Sequence, residues 1–210
     1  MNTELFRRYH DAYENHLKTI ALNLQDHILE QISEYPRIDR VTARAKEPRR
    51  FIQKAEKNNV EGIKKYTDPL NEIFDQVGAR IVTYYLSDVE GIRKLIDKYF
   101  KFIESSEREP ESDMQFGYFG YHYILFLPDE VIPDNINEKF CPKFFELQIK
   151  TLMQHAWSEA QHDLAYKPQA SSLSKEQKRK FAFTSAQAWG ADKIFDDLAK
   201  ELDLPSVKQV

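Results

Sequence analysis

Residues 144–151 (FFELQIKT) present three chemically active side chains in a row. Apolar residues alternate there with Glu146, Gln148 and Lys150, and this two-residue period predicts a strand with one buried and one polar face. A carboxylate, an amide and an ammonium on one strand face can hold a metal ion and phosphate groups. We therefore expect this strand to form one wall of a functional site.

A predicted helix follows this strand directly and carries a second set of ionisable groups. His155, Glu159 and His162 are spaced four and three residues apart, so they share one helical face. The spacing is not that of HExxH, and neither a cysteine nor a further histidine is close enough in sequence to complete a tetrahedral zinc set. We interpret Glu159 and His162 as hydrogen-bonded groups that border a polar cleft.

Asp75 is a second carboxylate, placed just ahead of another predicted strand. If that strand neighbours the strand of Glu146, the two carboxylates can bind Mg²⁺ and leave its other positions to water and phosphate oxygens. Glu146 has an alternative role as the base that takes a proton from an attacking hydroxyl. A turn cap for Asp75 and a solvent-facing strand residue for Glu146 are the plainer alternatives.

Positive charge is concentrated early in the chain. Residues 37–57 include eight Lys or Arg and only three acids, although the net charge of the chain is −4. This excess suits a small polyanion such as a nucleoside triphosphate, and a solvated helix face has the same composition. Neither GxxxxGK[ST] nor GxGxxG occurs, so phosphates would be held by side chains. The candidates are Arg44, Lys46, Lys54 and Lys150.

The sequence GYFGYH at 117–122 combines two glycines with stackable rings and a histidine. In a glycine-flanked loop at the start of a strand, Tyr118 can stack on a nucleobase. His122 can donate a hydrogen bond to a phosphate. An ordinary hairpin aromatic is the alternative interpretation of Tyr118.

These residues need a scaffold that brings them to one surface. Hydrophobic periodicity predicts a sheet of about four strands with helices between and around them, in an α+β or α/β domain, and a polar loop at 104–117. The pattern does not give the order or direction of the strands. The predicted helices are 3–33, one beginning at Pro48, 88–103, 151–165 and 174–201, and the predicted strands are 40–46, 77–86, 120–127 and 143–150. We divide the chain into an N-terminal helix at 1–36, a core at 37–168 and a C-terminal helical extension at 169–210.

Composition indicates a globular protein, because 41% of the 210 residues are hydrophobic. No apolar run approaches the roughly 18 residues of a membrane span. The first residues lack the apolar region of a signal peptide, and the lone Cys141 excludes an internal disulfide framework. We therefore expect a cytoplasmic protein without a membrane partner.

Four segments resemble, in order, the sequence blocks of the RelA/SpoT-type alarmone synthetases, including their single-domain small and toxin-type members. Together they cover about residues 40–168, and the resemblance implies a nucleotidyltransferase-like α+β fold with a mixed sheet of about four to five strands flanked by helices. The segments are Arg44-Ala-Lys46 with Lys54, FDQVGARI at 74–81, GYFGYH at 117–122, and ELQIKT at 146–151 with the following AWSEAQHDLAYK.

The resemblance also implies an activity and a role for each candidate residue. The activity is a transfer of pyrophosphate from ATP to the 3′-hydroxyl of GDP or GTP, which forms the stringent-response alarmone (p)ppGpp. Asp75 and Glu146 are implied to bind Mg²⁺ and to be catalytic. The other implied roles are ATP binding by Arg44, Lys46, Lys54 and Arg80, acceptor binding by Tyr118, His122, Gln148 and Lys150, and support by Glu159, His162 and Lys167.

Two alternatives to this function stay open. A toxin-type enzyme would modify the 3′ CCA end of tRNA, which the additional cations of residues 37–50 favour and the acidic net charge disfavours. A catalytically silent nucleotide-binding regulator would use the same cleft, but it would not need two metal carboxylates. The apolar stripes of the terminal helices are more typical of core helices than of the interface of a homo-oligomer.

Overall fold

The computed structural model describes residues 3–108, 110, 112, 115–117, 119–136, 141–165, 173–202 and 204. The strands in this part of the chain are β1 (Ile38–Ala45), β2 (Val77–Thr83), β3 (Phe102–Arg108), β4 (Gly120–Phe126) and β5 (Phe144–Thr151). They form one sheet in the order β1-β2-β5-β4-β3. Strands β2 and β5 run parallel and the other neighbours run antiparallel. The predicted mixed sheet is confirmed.

Helices surround this sheet, and long helices occupy both ends of the chain as predicted. They are α1 (Thr3–Ala12), α2 (Lys18–Gln31), α3 (Pro48–Ala55), α4 (Pro69–Glu72), α5 (Leu86–Tyr99), α6 (Leu152–Ala165) and α7 (Lys175–Glu201). A π-helical turn, Tyr13–Leu17, joins α1 to α2, and a 3-10 turn, Phe74–Gln76, precedes β2. None of the described helices combines the length and the apolar character that a membrane span requires.

One face of the sheet is apolar and holds the core. Phe145, Leu147 and Ile149 of β5 are fully buried on this face, as their two-residue spacing predicts. Helix α2 packs on strands β1 and β2, and helix α5 packs on β2 and β5. Each fully buried side chain of this size contributes about 1.5–3 kcal/mol to stability. The buried side chains of the two helices include Ile20, Leu24, Ile28, Ile92 and Ile96.

The opposite face of the sheet carries a polar surface that runs across the strands. The register sets Arg44 of β1 beside Gly78 of β2, and Gly78 beside Glu146 of β5. Directly paired residues project from the same face, so a second row lies next to the first. This second row consists of Thr42, Arg80, Gln148, His122 and Ser106.

The prediction of a loop over 104–117 is wrong at its beginning, because residues 102–108 form strand β3. This strand lies at the edge of the sheet and most of its side chains are exposed. An edge strand that is exposed on both faces lacks the alternation by which strands are recognised in a sequence.

The strand predicted at 77–86 ends early, at Thr83. The side chain of Asp88 accepts a hydrogen bond from the backbone N–H of Tyr85 at 3.1 Å. This contact caps α5 and starts the helix at Leu86. The helix then ends at Tyr99 and not at 103, because Phe102 already belongs to β3.

Candidate active site

Asp75 lies in the 3-10 turn that leads into β2. The buried side-chain amide of Gln76 holds this turn, because it donates hydrogen bonds to the carbonyls of Leu70 and Ile73 at 2.7 and 3.1 Å. The backbone N–H of Lys46, directly after β1, donates to the Gln76 carbonyl at 2.8 Å. The end of β1 and the start of β2 therefore place Lys46 and Asp75 side by side.

Two ammonium groups face the Asp75 carboxylate. Lys46 Nζ lies 2.7 Å from Oδ2, and Lys54 Nζ, from α3, lies 3.0 Å from Oδ1. Burial opposes the ionisation of Asp75, but the two positive charges outweigh it and hold the pKa of this carboxyl below its ordinary value. Each of the two carboxylate oxygens is therefore ion-paired with one ammonium group.

Glu146, on the polar face of β5, lies 3.0 Å from the Nδ1 atom of His122 on β4. Burial opposes its ionisation, but the hydrogen bond to His122 outweighs burial and keeps the pKa of Glu146 below its ordinary value. The negative charge of Asp75 acts on Glu146 in the opposite direction. Asp75 and Glu146 also border the same two cavities. The structure therefore brings the two predicted carboxylates together.

The first of these cavities has a volume of about 380 Å³ and a positively charged lining. Arg44 lies beside Gly78, which leaves the floor of the cavity open because it has no side chain. The Oε1 atom of Gln148 is buried at this wall without a hydrogen bond. A ligand hydroxyl or amino group could donate to this oxygen, while the cationic side chains of the lining would bind phosphates. The cationic side chains in the lining are Arg44, Lys46, Arg50 and Arg80.

The second cavity, of about 280 Å³, lies on the β3–β4 side of the two carboxylates. Its lining includes His122 and Lys54. Strand β3 adds three polar residues that the sequence analysis did not select, because they fall in the segment predicted as a loop. Residues 104–108 are all polar, so no alternation in the sequence could have identified them. The three residues are Glu104, Ser106 and Arg108.

The N-terminal helix, to which we assigned no chemistry, also supports the site. Tyr9 of α1 is fully buried, stacks on Phe51 at a centroid distance of 3.7 Å, and donates a hydrogen bond to the Lys46 carbonyl at 2.9 Å. Tyr13, at the start of the π-helical turn, lines the first cavity. The apolar spacing of this helix predicted burial but did not distinguish these two tyrosines.

Arg80 is oriented by the helix that follows β5. Its Nη1 atom lies 2.6 Å from Glu159 Oε1 and 3.1 Å from His155 Nδ1, both on α6. Burial and the charge of Arg80 lower the pKa of His155, so its uncharged ring can accept this hydrogen bond at neutral pH. Glu159 is half-exposed, and such ion pairs contribute about 0–1 kcal/mol. The contacts therefore fix the direction of the guanidinium more than they stabilise the fold.

Residues 43–171, which are more than half of the chain, match the family described as a region found in RelA / SpoT proteins. The chain belongs to this family. The membership predicted from the four sequence blocks is confirmed.

Relatives of known structure in the RelA/SpoT family share the fold. One is the crystal structure of small alarmone synthetase 1 from Bacillus subtilis bound to its product pppGpp. Its chain shares 19% sequence identity with this one, the TM-score is 0.66, and the match covers 95% of this chain and 96% of that one. A GTP pyrophosphokinase family protein from Streptococcus pneumoniae is 21% identical, with a TM-score of 0.68 and coverage of 95% and 93%.

A further relative was found by sequence. GTP pyrophosphokinase YjbM of Bacillus subtilis (strain 168) is 23% identical over 173 residues, which are 80% of this chain and 76% of the relative.

Lys150 occupies a different position from the one that the family resemblance implies. It is 2% exposed, and its Nζ donates a hydrogen bond to Ser158 Oγ of α6 at 3.0 Å. It lines neither of the two cavities. Burial, with the nearby charge of Arg80, lowers the pKa of Lys150 to about 7. The structure thus places Lys150 behind the wall of this RelA/SpoT site.

The remaining predicted site residues fall into two groups. His162 is exposed on α6, three residues beyond Glu159. Tyr118 and Lys167 lie outside the described residues, so their roles stay predictions. No group of three or more His, Cys, Asp and Glu side chains suitable for a metal ion occurs in the described ranges.

The two carboxylates nevertheless fit a hydrated Mg²⁺ ion. This ion prefers oxygen ligands and commonly takes only one or two carboxylates together with water and phosphate oxygens. Asp75 and Glu146 offer this set of donors where the two cavities meet, and Lys46 and Lys54 would have to move away from the Asp75 oxygens to admit the ion.

Proposed function

We propose that this protein is a pyrophosphokinase that transfers pyrophosphate from ATP to the 3′-hydroxyl of GDP or GTP and so forms (p)ppGpp. Membership of the RelA/SpoT family and the names of its relatives support this activity. The observation that carries the proposal is the position of Asp75 and Glu146, which border both a cationic cavity and a neighbouring second cavity. Two substrates bound in these cavities meet at the two carboxylates.

The first cavity is the proposed ATP site. Arg44 and Arg80 present guanidinium groups, which bind phosphate oxygens bidentately, and Lys46 adds a point charge next to Asp75. Lys54 lines the second cavity and adds its charge on the other side of the same carboxylate. Phosphoryl-type transfer requires mainly positioning and neutralisation of the developing charge. A Mg²⁺ ion held by Asp75 and Glu146 would supply further positive charge at the phosphates.

The second cavity is the proposed acceptor site, and Glu146 lies at its junction with the first. Glu146 is ionised at neutral pH, and His122 orients it from β4. In the proposed reaction the acceptor 3′-oxygen forms a bond to the β-phosphorus of ATP, and the bond from this phosphorus to the bridging oxygen of AMP breaks. The Glu146 carboxylate takes the proton of the hydroxyl, and AMP leaves.

An acceptor assay tests this function. The protein is incubated with Mg²⁺, ATP labelled in its γ-phosphate, and GDP, GTP or deacylated tRNA in separate reactions. We expect label in the guanine nucleotide and formation of AMP. Label in tRNA would favour the toxin-type activity, and ATP binding without transfer to any acceptor would favour the silent regulator. Glu146→Gln, which keeps the size of the side chain, is the matched negative control.

A further inference from the structure

Both oxygens of the Asp75 carboxylate have a cationic partner from the chain itself. Lys46 Nζ pairs with Oδ2 at 2.7 Å, and Lys54 Nζ pairs with Oδ1 at 3.0 Å. The Asp75 side chain is 17% exposed, so water and salt screen these pairs less than they screen pairs on the surface. The two ammonium groups carry as much positive charge as Asp75 and Glu146 together carry negative charge.

This pairing opposes the binding of a divalent cation by itself. A cation that approached Asp75 would meet two ammonium groups in direct contact with the oxygens that it needs. Like charges repel strongly in a partly buried site, where the effective dielectric constant is lower than in water. The ion therefore reaches Asp75 only after the ammonium groups have moved away.

The lysines can move away without a change in the backbone. The Lys46 N–H donates to the Gln76 carbonyl at 2.8 Å, and the Lys46 carbonyl accepts a hydrogen bond from the Tyr9 hydroxyl at 2.9 Å, so this backbone is held on both sides. Lys54 lies within α3, and it borders the second cavity as Lys46 borders the first. A lysine has a flexible four-carbon stem, so each ammonium group can swing from Asp75 into the cavity that it borders.

Nucleotide phosphates can drive this movement. A triphosphate carries several negative charges and the Asp75 carboxylate carries one, so phosphate oxygens in the first cavity compete with Asp75 for Lys46. An ammonium group that turns to the phosphates uncovers one Asp75 oxygen. Phosphate oxygens are also ligands of Mg²⁺, so they favour the ion at the same moment as they free its protein ligand.

We propose that Lys46 and Lys54 form an ion-pair switch, which keeps a divalent cation away from Asp75 until nucleotide phosphates draw the two lysines off. The site then takes up metal and nucleotide together, and each raises the affinity for the other. This inference rests on the proposed function, because it takes the first cavity as the ATP site. It deepens that function by giving each lysine one partner before ATP binds and another afterwards.

Binding of Mn²⁺ to the whole protein without nucleotide tests the blocking half of the switch. Mn²⁺ takes the same kind of oxygen ligands as Mg²⁺, and electron paramagnetic resonance measures the free ion. Lys46→Met and Lys54→Met each remove one blocking charge and should tighten Mn²⁺ binding by roughly fivefold or more. Lys57→Met, at an exposed position just after α3, is the matched control for loss of a positive charge and should leave the affinity unchanged.

Equilibrium dialysis of ATP in the presence of EDTA tests the releasing half. Asp75→Asn frees both lysines for the phosphates and should tighten the binding of metal-free ATP by roughly threefold or more. Glu146→Gln removes the same charge from the neighbouring carboxylate, which is paired with His122, and should leave this affinity near the wild-type value. Lys46→Met should weaken ATP binding, although it tightens Mn²⁺ binding.

Three results would overturn the proposal. They are an unchanged Mn²⁺ affinity in both lysine variants, an equal tightening of Mn²⁺ binding by Lys57→Met, and an equal effect of Asp75→Asn and Glu146→Gln on metal-free ATP. A wild-type protein that transfers nothing to any acceptor would refute the proposed function alone, since both experiments measure binding without transfer.

Discussion

Lys150 is expected to cost the protein stability at neutral pH. Its pKa falls from 10.5 to about 7 because the side chain is buried, and this difference corresponds to about 4–5 kcal/mol. Between these two pH values the unfolded chain keeps the proton and the folded chain loses it. The unfolded state then binds more protons, so the free energy of unfolding rises with pH from about 7 to 10.5. Below pH 7 the cost of the buried charge is fully present.

Lys150→Met removes this cost, because methionine fills a similar space without a charge. The hydrogen bond to Ser158 is lost as well, at about 1 kcal/mol. We therefore expect the free energy of unfolding at pH 6 to rise by about 3 kcal/mol, and the advantage over wild type to shrink steadily as the pH rises to 9.5. Urea unfolding followed by circular dichroism at pH 6, 8 and 9.5 measures both effects. Lys178→Met, at an exposed position of α7, is the matched control.

The deciding measurement is how the stability difference between Lys150→Met and wild type changes with pH. If the difference between Lys150→Met and wild type stays constant or grows from pH 6 to 9.5, the buried ammonium is not the destabilised form and the reasoning fails. The same variant separates two roles for this residue. With Lys150 behind the cavity wall, Lys150→Met should retain binding of the acceptor. A folded variant that has lost acceptor binding would return Lys150 to the role implied by the family resemblance.

Three further substitutions test the site. Glu146→Gln should lower kcat by about 10²–10⁴-fold and leave the Kd for ATP near its wild-type value in equilibrium dialysis. Gly78→Val should weaken ATP binding more than about tenfold, since its side chain fills the floor beside Arg44. A β-carbon at this position meets the Glu146 carbonyl at an ordinary 3.8 Å, and circular dichroism of the variant checks that the fold is kept. Tyr118→Ala should raise KM for the acceptor by about 5–150-fold, and an equal rise for ATP would contradict stacking.

Much of the fold could be predicted from the sequence because side-chain periodicity is a local property. The alternation in residues 144–151 placed Glu146 and Gln148 on the polar face of a strand, and the structure has them there. The helical spacing predicted the long helices at both ends. Strand β3 was missed because neither of its faces is buried, so its sequence carries no hydrophobic pattern.

The sequence by itself determined which residues share a face and which chemistry they can perform. Only the tertiary structure decided that β2 and β5 are neighbours, which brings Asp75 to Glu146, and that Ser158 on α6 covers Lys150 at the end of the same polar face. It also decided that Tyr13 of the N-terminal helix reaches the first cavity. Which strands pair, and which helix covers a strand face, depends on contacts between segments that are distant in sequence. The hydrophobic period of one segment does not identify the segment that packs against it.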